Sequence, residues 1–376
     1  MNHKMASFDK VERKKLPWWE PVFGAEEKDL LEQVIDSTFL NDGRIVKRLE
    51  TELADMLECA YVIAVTSGTA AIYLSLKALG IGINDEVIVP DMTYIATANA
   101  VSMTGARVKL VDVSPESLCI DVNRIKEAVN SRTKAIIPVH VSGRGANMKK
   151  IMAIAEEKNL VVIEDAAEAL KSRHEGKYLG TWGHTGCFSL SPFKAITSGQ
   201  GGFITTNSDT LHQKLKKLKN QGLLGTATGG ADFHEEIGFN FKYTDLQAAV
   251  SLGQLHDLER RLKRMRQIYE LYHQRLKGCQ HVRLPACQAQ EVQLWTDMLV
   301  EDRRGLVQFL GEQGIDCRPF WYPIHDEPPY QVDRANQHFP ISSRIAYQAL
   351  WLPSAFTLDD DDVNRVCDAV YSFFSN

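Results

Sequence analysis

The chain has 376 residues, 44% hydrophobic and 24% charged, which suits two or three packed domains and excludes wholesale disorder. Its 43 Lys and Arg against 48 Asp and Glu leave a formal charge of −5, so nothing general favours nucleic acid or an anionic membrane. No run reaches the ~18 apolar residues of a membrane span. The charged start MNHKMASFDKVERKKLPWWE lacks the apolar core of a secretory signal, and the seven cysteines form no CxxC pair. A reduced, cytoplasmic protein is expected.

From Tyr61 onward, short and largely apolar runs alternate with helical stretches. Val62–Val65, Glu86–Val89, Val108–Val111, Ala135–Val139 and Leu160–Ile163 read as strands covered on both faces by helices. Thr69–Leu79, stopped by Gly80, and Met148–Lys158 read as crossover helices. This alternation predicts a largely parallel α/β sheet. Past Ala248, Leu255–Leu276 predicts one long basic connecting helix, its apolar residues at helical spacing. A strand-like QLWTDMLV, a helix near Leu306–Gln313, a Pro-rich loop from Arg318 to Tyr330 and a last helix around Val363–Phe374 complete a smaller α+β domain. The division is an N-terminal segment 1–20, a large α/β domain 21–254 and a small domain 255–376. The basic runs Lys214–Lys219 and Arg260–Arg266 read as solvated helix faces, with phosphate-binding patches as the alternative, and Asp359–Asp362 as an acidic first helical turn.

Three segments carry chemistry. Between Tyr178 and Ser208 one residue in 31, Lys194, is charged, where the average would put about seven. It lies between GCFSL and the glycine-rich SGQGGFITT, with Phe193 and Ile196 beside it. An apolar pocket disfavours a lysine's charged form and frees the amine as a nucleophile; a lysine that snorkels to the surface is the alternative. Asp165 follows LVVIE, at the carboxyl end of a buried parallel strand, where open α/β sheets bind ligands; it could equally cap the next helix. Val65-Thr66-Ser67-Gly68-Thr69 runs from a strand into a helix start, a ready anion site. A nucleophilic lysine, a strand-end acid and a phosphate cradle on one sheet are the parts that pyridoxal phosphate requires. No GxGxxG opens the first strand–helix unit, and neither GxxxxGK[ST] nor HExxH occurs, so dinucleotide, P-loop and zinc readings lose support and no metal is expected.

These residues sit in longer segments: TSGTAAIYLSLKALGIGINDEVIVPDMTYIATANAV, TKAIIPVHVSGR, VIEDAAEAL, GCFSLSPFKAITSGQGGFITTN, IGFNFKYTDLQAAV and GIDCRPFWYPIHDEPPY. In number and order they resemble the DegT/DnrJ/EryC1/StrS family of nucleotide-sugar aminotransferases. The resemblance implies a fold type I pyridoxal phosphate enzyme: a mainly parallel seven-stranded sheet between helices and a smaller C-terminal α+β domain. It matches Lys194 to the lysine that carries the cofactor and Asp165 to the acid that keeps the pyridine nitrogen protonated. It matches Gly68, Thr69 and Ser189 to phosphate contacts, Tyr94 to the ring stacked on the cofactor, and Glu168 to a contact with the ring hydroxyl. Asn240 matches a residue that completes the partner's site in a homodimer, and Arg318 and His325 lie near the substrate pocket. L-glutamate is the implied donor. The phrases VPDMTYIATANAV, EDAAEA, IGFN and RPFWYPIH are most similar to the perosamine-forming branch, which implies a GDP-linked 4-keto-6-deoxy sugar as acceptor. Another keto substrate, or a non-catalytic cofactor-binding regulator, are the alternatives; the dehydratase branch has histidine where this chain has Lys194. Gln200, Lys242, Ser191 and Pro192 depart from the family's usual residues, and His140 and Arg144 could tune the substrate or be surface residues.

Overall fold

The computed structural model describes residues 14–223, 233–331 and 338–375. Its strands are β1 (Tyr61–Val65), β2 (Glu86–Pro90), β3 (Arg107–Val111), β4 (Thr133–Ile136), β5 (Val161–Asp165), β6 (Arg173–His174), β7 (Lys177–Tyr178), β8 (Thr185–Ser189), β9 (Gly202–Thr206), β10 (Val282–Arg283), β11 (Asp297–Val300), β12 (Arg318–Pro319) and β13 (Ala349–Trp351). The α-helices are α1 (Ala25–Asp36), α2 (Arg44–Leu57), α3 (Gly68–Ala78), α4 (Ala96–Met103), α5 (Val122–Ala128), α6 (Met148–Lys158), α7 (Asp209–Lys219), α8 (Asp245–His256), α9 (Leu258–Leu276), α10 (Arg303–Glu312), α11 (Pro340–Gln348) and α12 (Asp360–Ser375).

Seven strands form the main sheet in the order β1-β9-β8-β5-β4-β2-β3. Only β9 runs against its neighbours, pairing antiparallel with β1 and β8. The predicted strands are all present, and their lack of alternation has a simple cause. Ile88, Ile136 and Val162 enter one apolar core, while Val87, Val89, Ala135 and Ile163 enter another on the opposite face. Both faces of each strand are therefore dry. Helix α3 is buried nearly all round, from Ala70 to Ala78, and Ser67 caps it by accepting from the Ala70 amide.

The second sheet has the order β10-β11-β13-β12, antiparallel throughout. Its core joins Met298 and Leu350 to residues of α9, α10 and α12, and Leu16 of the N-terminal segment belongs to it through a bridge to Ile315. In this sheet Trp351 pairs with Asp297 on one side and Arg318 on the other.

Three expectations need correction. Leu255–Leu276 is not one helix. The chain turns at Asp257 (φ −95°, ψ 2°), whose carboxylate accepts from Arg260 and Arg261. Leu255 consequently belongs to α8, and the buried face of α9 runs Leu258, Leu262, Met265, Ile268, Tyr272, Leu276. Second, the basic runs are not wholly solvated: Lys219 and Arg261 are buried. The Lys219 Nζ lies 3.1 Å from Asp42 Oδ1 and 3.4 Å from Glu50 Oε1, and the Arg261 guanidinium donates to Gln254 Oε1 at 2.8 Å. Finally, neither His140 nor Arg144 reaches the surface. His140 Nδ1 accepts from the Ala146 amide, which leaves Nε2 to donate to Glu164 Oε2 at 3.0 Å. Arg144 forms an ion pair with Asp297 in which both side chains are almost completely buried.

Removing one member of such a pair strands the other charge. Arg144→Ala is expected to lower unfolding free energy by about 3–5 kcal/mol, measured by urea denaturation.

Candidate active site

Four strands deliver the site from one edge of the sheet. Ser67, Gly68 and Thr69 follow β1, Thr93 and Tyr94 follow β2, Asp165 ends β5 and Ser189 ends β8; Lys194 lies on the loop to β9. These residues line one cavity of about 300 Å³, with Glu168 and Gln200 beside them. Trp295, Arg318 and Trp351 close it from the second sheet and its approach. This is the carboxyl edge of an open α/β sheet, where its ligands bind.

The start of α3 forms one wall. Its first-turn amides have no intrahelical acceptor and carry the positive end of the helix dipole. Gly202 of β9 passes so close that a Cβ there would stand 2.6 Å from the Gly68 nitrogen and from the Phe188 carbonyl oxygen. On Gly68 a Cβ would meet the Ser189 Cβ at 3.1 Å. Glycine keeps this wall narrow and open to an anion.

Asp165 stands opposite. Its Oδ2 accepts from Thr97 Oγ1 at 2.7 Å and its Oδ1 from the Ala167 amide at 3.1 Å. Burial pushes its pKa up, against the Thr97 and Ala167 hydrogen bonds and the charge of Lys194. A cationic nitrogen brought to this carboxylate would favour its ionised form. Glu168 Oε2 accepts from the Ser142 amide at 2.9 Å, and burial raises its pKa too, with Lys194 opposing.

The Lys194 side chain is 13% exposed, so it does not snorkel out. Its Nζ lies 3.4 Å from Glu168 Oε1 and 4.7 Å from the centre of the Trp295 ring. The pocket is thus less apolar than the stretch around Lys194 suggests, because Glu168 and Trp295 arrive from elsewhere in the chain. Tyr94 lines the cavity while staying 54% exposed. The Arg318 guanidinium lies 5.1, 5.5 and 5.6 Å from the rings of Trp18, Phe193 and Trp351.

Two expected site residues are not among those lining the cavity. The His325 ring hydrogen-bonds Asp91 Oδ2 at 2.7 Å and its amide donates to Asp91 Oδ1, so it ties the Pro-rich loop to the end of β2. Asn240 is exposed and bridges to Asn220, to which Lys242 Nζ also donates at 2.9 Å. Gln200, Ser191 and Pro192 do line the cavity. Sequence reasoning missed Thr97, Ser142, Trp295 and Trp351. Thr97 stood inside the quoted ATANAV, but nothing local showed that its hydroxyl meets Asp165.

Residues 21–371 match the DegT/DnrJ/EryC1/StrS aminotransferase family. The chain belongs to that family. It is 34% identical over 367 residues to a GDP-perosamine synthase of Vibrio cholerae, covering 96% of this chain and 99% of the relative. It is 35% identical to a GDP-perosamine synthase of Caulobacter vibrioides over 361 residues, 93% of this chain and 96% of the other. Among solved structures it superposes on S. venezuelae DesV, captured in complex with a ketimine intermediate, with a TM-score of 0.88. Identity there is 31%, over 93% of this chain and 95% of DesV. The protein is an aminotransferase, and its cofactor is pyridoxal phosphate.

The cavity fits that cofactor on geometry alone. It offers an amine, a buried acid, and a narrow wall of helix-start amides. Gly202→Ala, which would push a methyl group into that wall, is expected to weaken cofactor binding at least tenfold; titration of the cofactor-free protein measures this.

Proposed function

We propose that this aminotransferase moves the amino group of L-glutamate to a nucleotide-linked 4-keto-6-deoxy sugar, with GDP-4-keto-6-deoxymannose as the acceptor. The observation that carries the reading is that Lys194 and Asp165 line one cavity beside an anion-accepting helix start. The likeness to GDP-perosamine synthases across nearly the full chain supports the acceptor.

When bound, pyridoxal phosphate supplies an aldehyde that condenses with amines and a ring that withdraws electrons from the carbon being deprotonated. The chain's own groups do the rest. Gly68, Thr69 and Ser189 would hold the phosphate, Asp165 would keep a proton on the pyridine nitrogen by its charge, Tyr94 would stack on the ring and Glu168 would meet the ring hydroxyl. Lys194 would anchor the aldehyde carbon. With the donor bound in this cavity, Lys194 Nζ would accept the proton from the donor's Cα. The same cavity then serves the keto sugar with the proton moving in the reverse sense, so the two substrates alternate.

Arg318 suits an anionic substrate group. Among the described residues no carboxylate lies within ion-pair distance of its guanidinium, and three aromatic faces hold it in the cavity wall. His325 acts behind it, fixing the loop that follows the strand on which Arg318 sits. The working unit in this reading is a homodimer in which Asn240 completes the partner's site. Phe39 (56% exposed), Ile237 (88%) and Tyr94 are apolar or aromatic side chains that a second copy would cover.

Mixing the protein with L-glutamate should convert the visible band of the lysine-bound cofactor to that of its amine form. A panel of nucleotide-linked 3-keto and 4-keto sugars should then show GDP-4-keto-6-deoxymannose restoring the band fastest. A different sugar in that place replaces the acceptor; no conversion by glutamate defeats the donor. Lys194→Ala should lose both the band and turnover, and substantial turnover without this amine would refute its role. Asp165→Asn should keep the fold and raise the barrier by about 3–4 kcal/mol, read from single-turnover rates.

A further inference from the structure

Ser142 is completely buried, yet its backbone is left-handed, at φ 52° and ψ 27°. Serine adopts that conformation at a cost, so the surroundings must hold it there. All of its polar groups are engaged. The amide donates to Glu168 Oε2 at 2.9 Å and the carbonyl accepts from the Leu294 amide at 3.0 Å. Its hydroxyl donates to Asp297 Oδ1 at 2.8 Å and accepts from Trp351 Nε1 at 3.1 Å. Asp297 is itself locked by Arg144, and Trp351 is a wall of the cavity. Gly143, next in the chain, permits no side chain at all, since a Cβ would stand 1.9 Å from the Val292 carbonyl oxygen.

From this arrangement we infer that Ser142 is a positioning residue for the transamination site. Its hydroxyl, gripped by Asp297 and Trp351 of the second sheet, holds the left-handed turn whose amide aims the Glu168 carboxyl at Lys194. The line Arg144–Asp297–Ser142–Glu168 consists of buried contacts, and it ends on a part-buried one from Glu168 to Lys194. Glu168 lies in the turn after β5 of the large sheet and Asp297 on β11 of the small one, so the orientation of a site carboxyl depends on how the two sheets meet. In such a buried network each bond is strengthened by the low dielectric and each broken bond leaves an unpaired group. Ser142 is not among the residues that line the cavity; it acts through Glu168.

The inference rests on the proposed role of Glu168 at the cofactor, and the test separates the two. Holoenzyme of wild type, Glu168→Gln, Ser142→Ala, Ser142→Gly and the double variant Ser142→Gly/Glu168→Gln is titrated with pH, following the visible band of the lysine-bound cofactor. Ser142→Gly accepts a positive φ freely and keeps the backbone amide, so it remains informative should Ser142→Ala fail to fold. The expected result is a midpoint that moves in both Ser142 variants in the same direction as in Glu168→Gln and at least half as far. The double variant should move no further than Glu168→Gln alone, the signature of residues acting in series. Cofactor affinity should fall about threefold to tenfold, and kcat should drop with little change in KM for glutamate. If Glu168→Gln shifts the midpoint and neither folded Ser142 variant does, the positioning role is wrong. If Glu168→Gln itself leaves the midpoint in place, the reading of Glu168 fails and this inference falls with it.

Discussion

A carboxylate buried at the carboxyl edge of a parallel sheet is the constraint around which this molecule is organised. Asp165 ends β5, sheltered from solvent, with a threonine hydroxyl and one amide as its protein donors. Neutral donors compensate a buried charge only in part, and a cation facing it would complete the compensation. The cavity beside Asp165 has room for one. Every other feature of the site keeps that space at the right width: the start of α3 on one side, Lys194 and Glu168 on another, and the glycine of β9 beneath.

The second sheet is more than a cover. Asp297, Trp351 and Arg318 lie side by side on three adjacent strands, and each does a different job toward the cavity. Asp297 ties inward to Arg144 and Ser142, Trp351 contributes a wall, and Arg318 presents a guanidinium framed by aromatic rings. Trp295 packs against Trp351 with ring centroids 4.8 Å apart, so the same aromatic cluster that welds the two regions also flanks the lysine. His325 adds an outer tie through Asp91 at the end of β2. Residues that line or support the cavity therefore also tie the two sheets to each other.

Much of this was legible beforehand. The double-sided strands could be read because residues such as Val87 and Ile88 are both apolar although they face opposite cores. Lys194 stood out because its stretch is depleted of every other formal charge, and Asp165 because an acid after LVVIE has few inexpensive places to go. The helix break at Asp257 was harder. Apolar residues keep a helical spacing on both sides of it, and only the pairing of its carboxylate with Arg260 and Arg261 shows where the chain turns. Arg144 and His140 could not be distinguished from surface residues, since their burial depends on Asp297 and Glu164, each far away in the chain or across a strand.

What the amino-acid order determined by itself is the class of fold, the strand and helix succession, and the amine and acid, Lys194 and Asp165, that the structure brings into one cavity. Those follow from local periodicity and from the high cost of putting charge in apolar surroundings, both written in neighbouring residues. What only the tertiary structure decided is the aim of these groups. Thr97 on Asp165, Ser142 on Glu168, and Trp295 beneath Lys194 join residues 68, 26 and 101 positions apart in the chain. A side chain's direction at a site is set by close packing and hydrogen-bond geometry between such distant segments, and no short-range pattern carries that information.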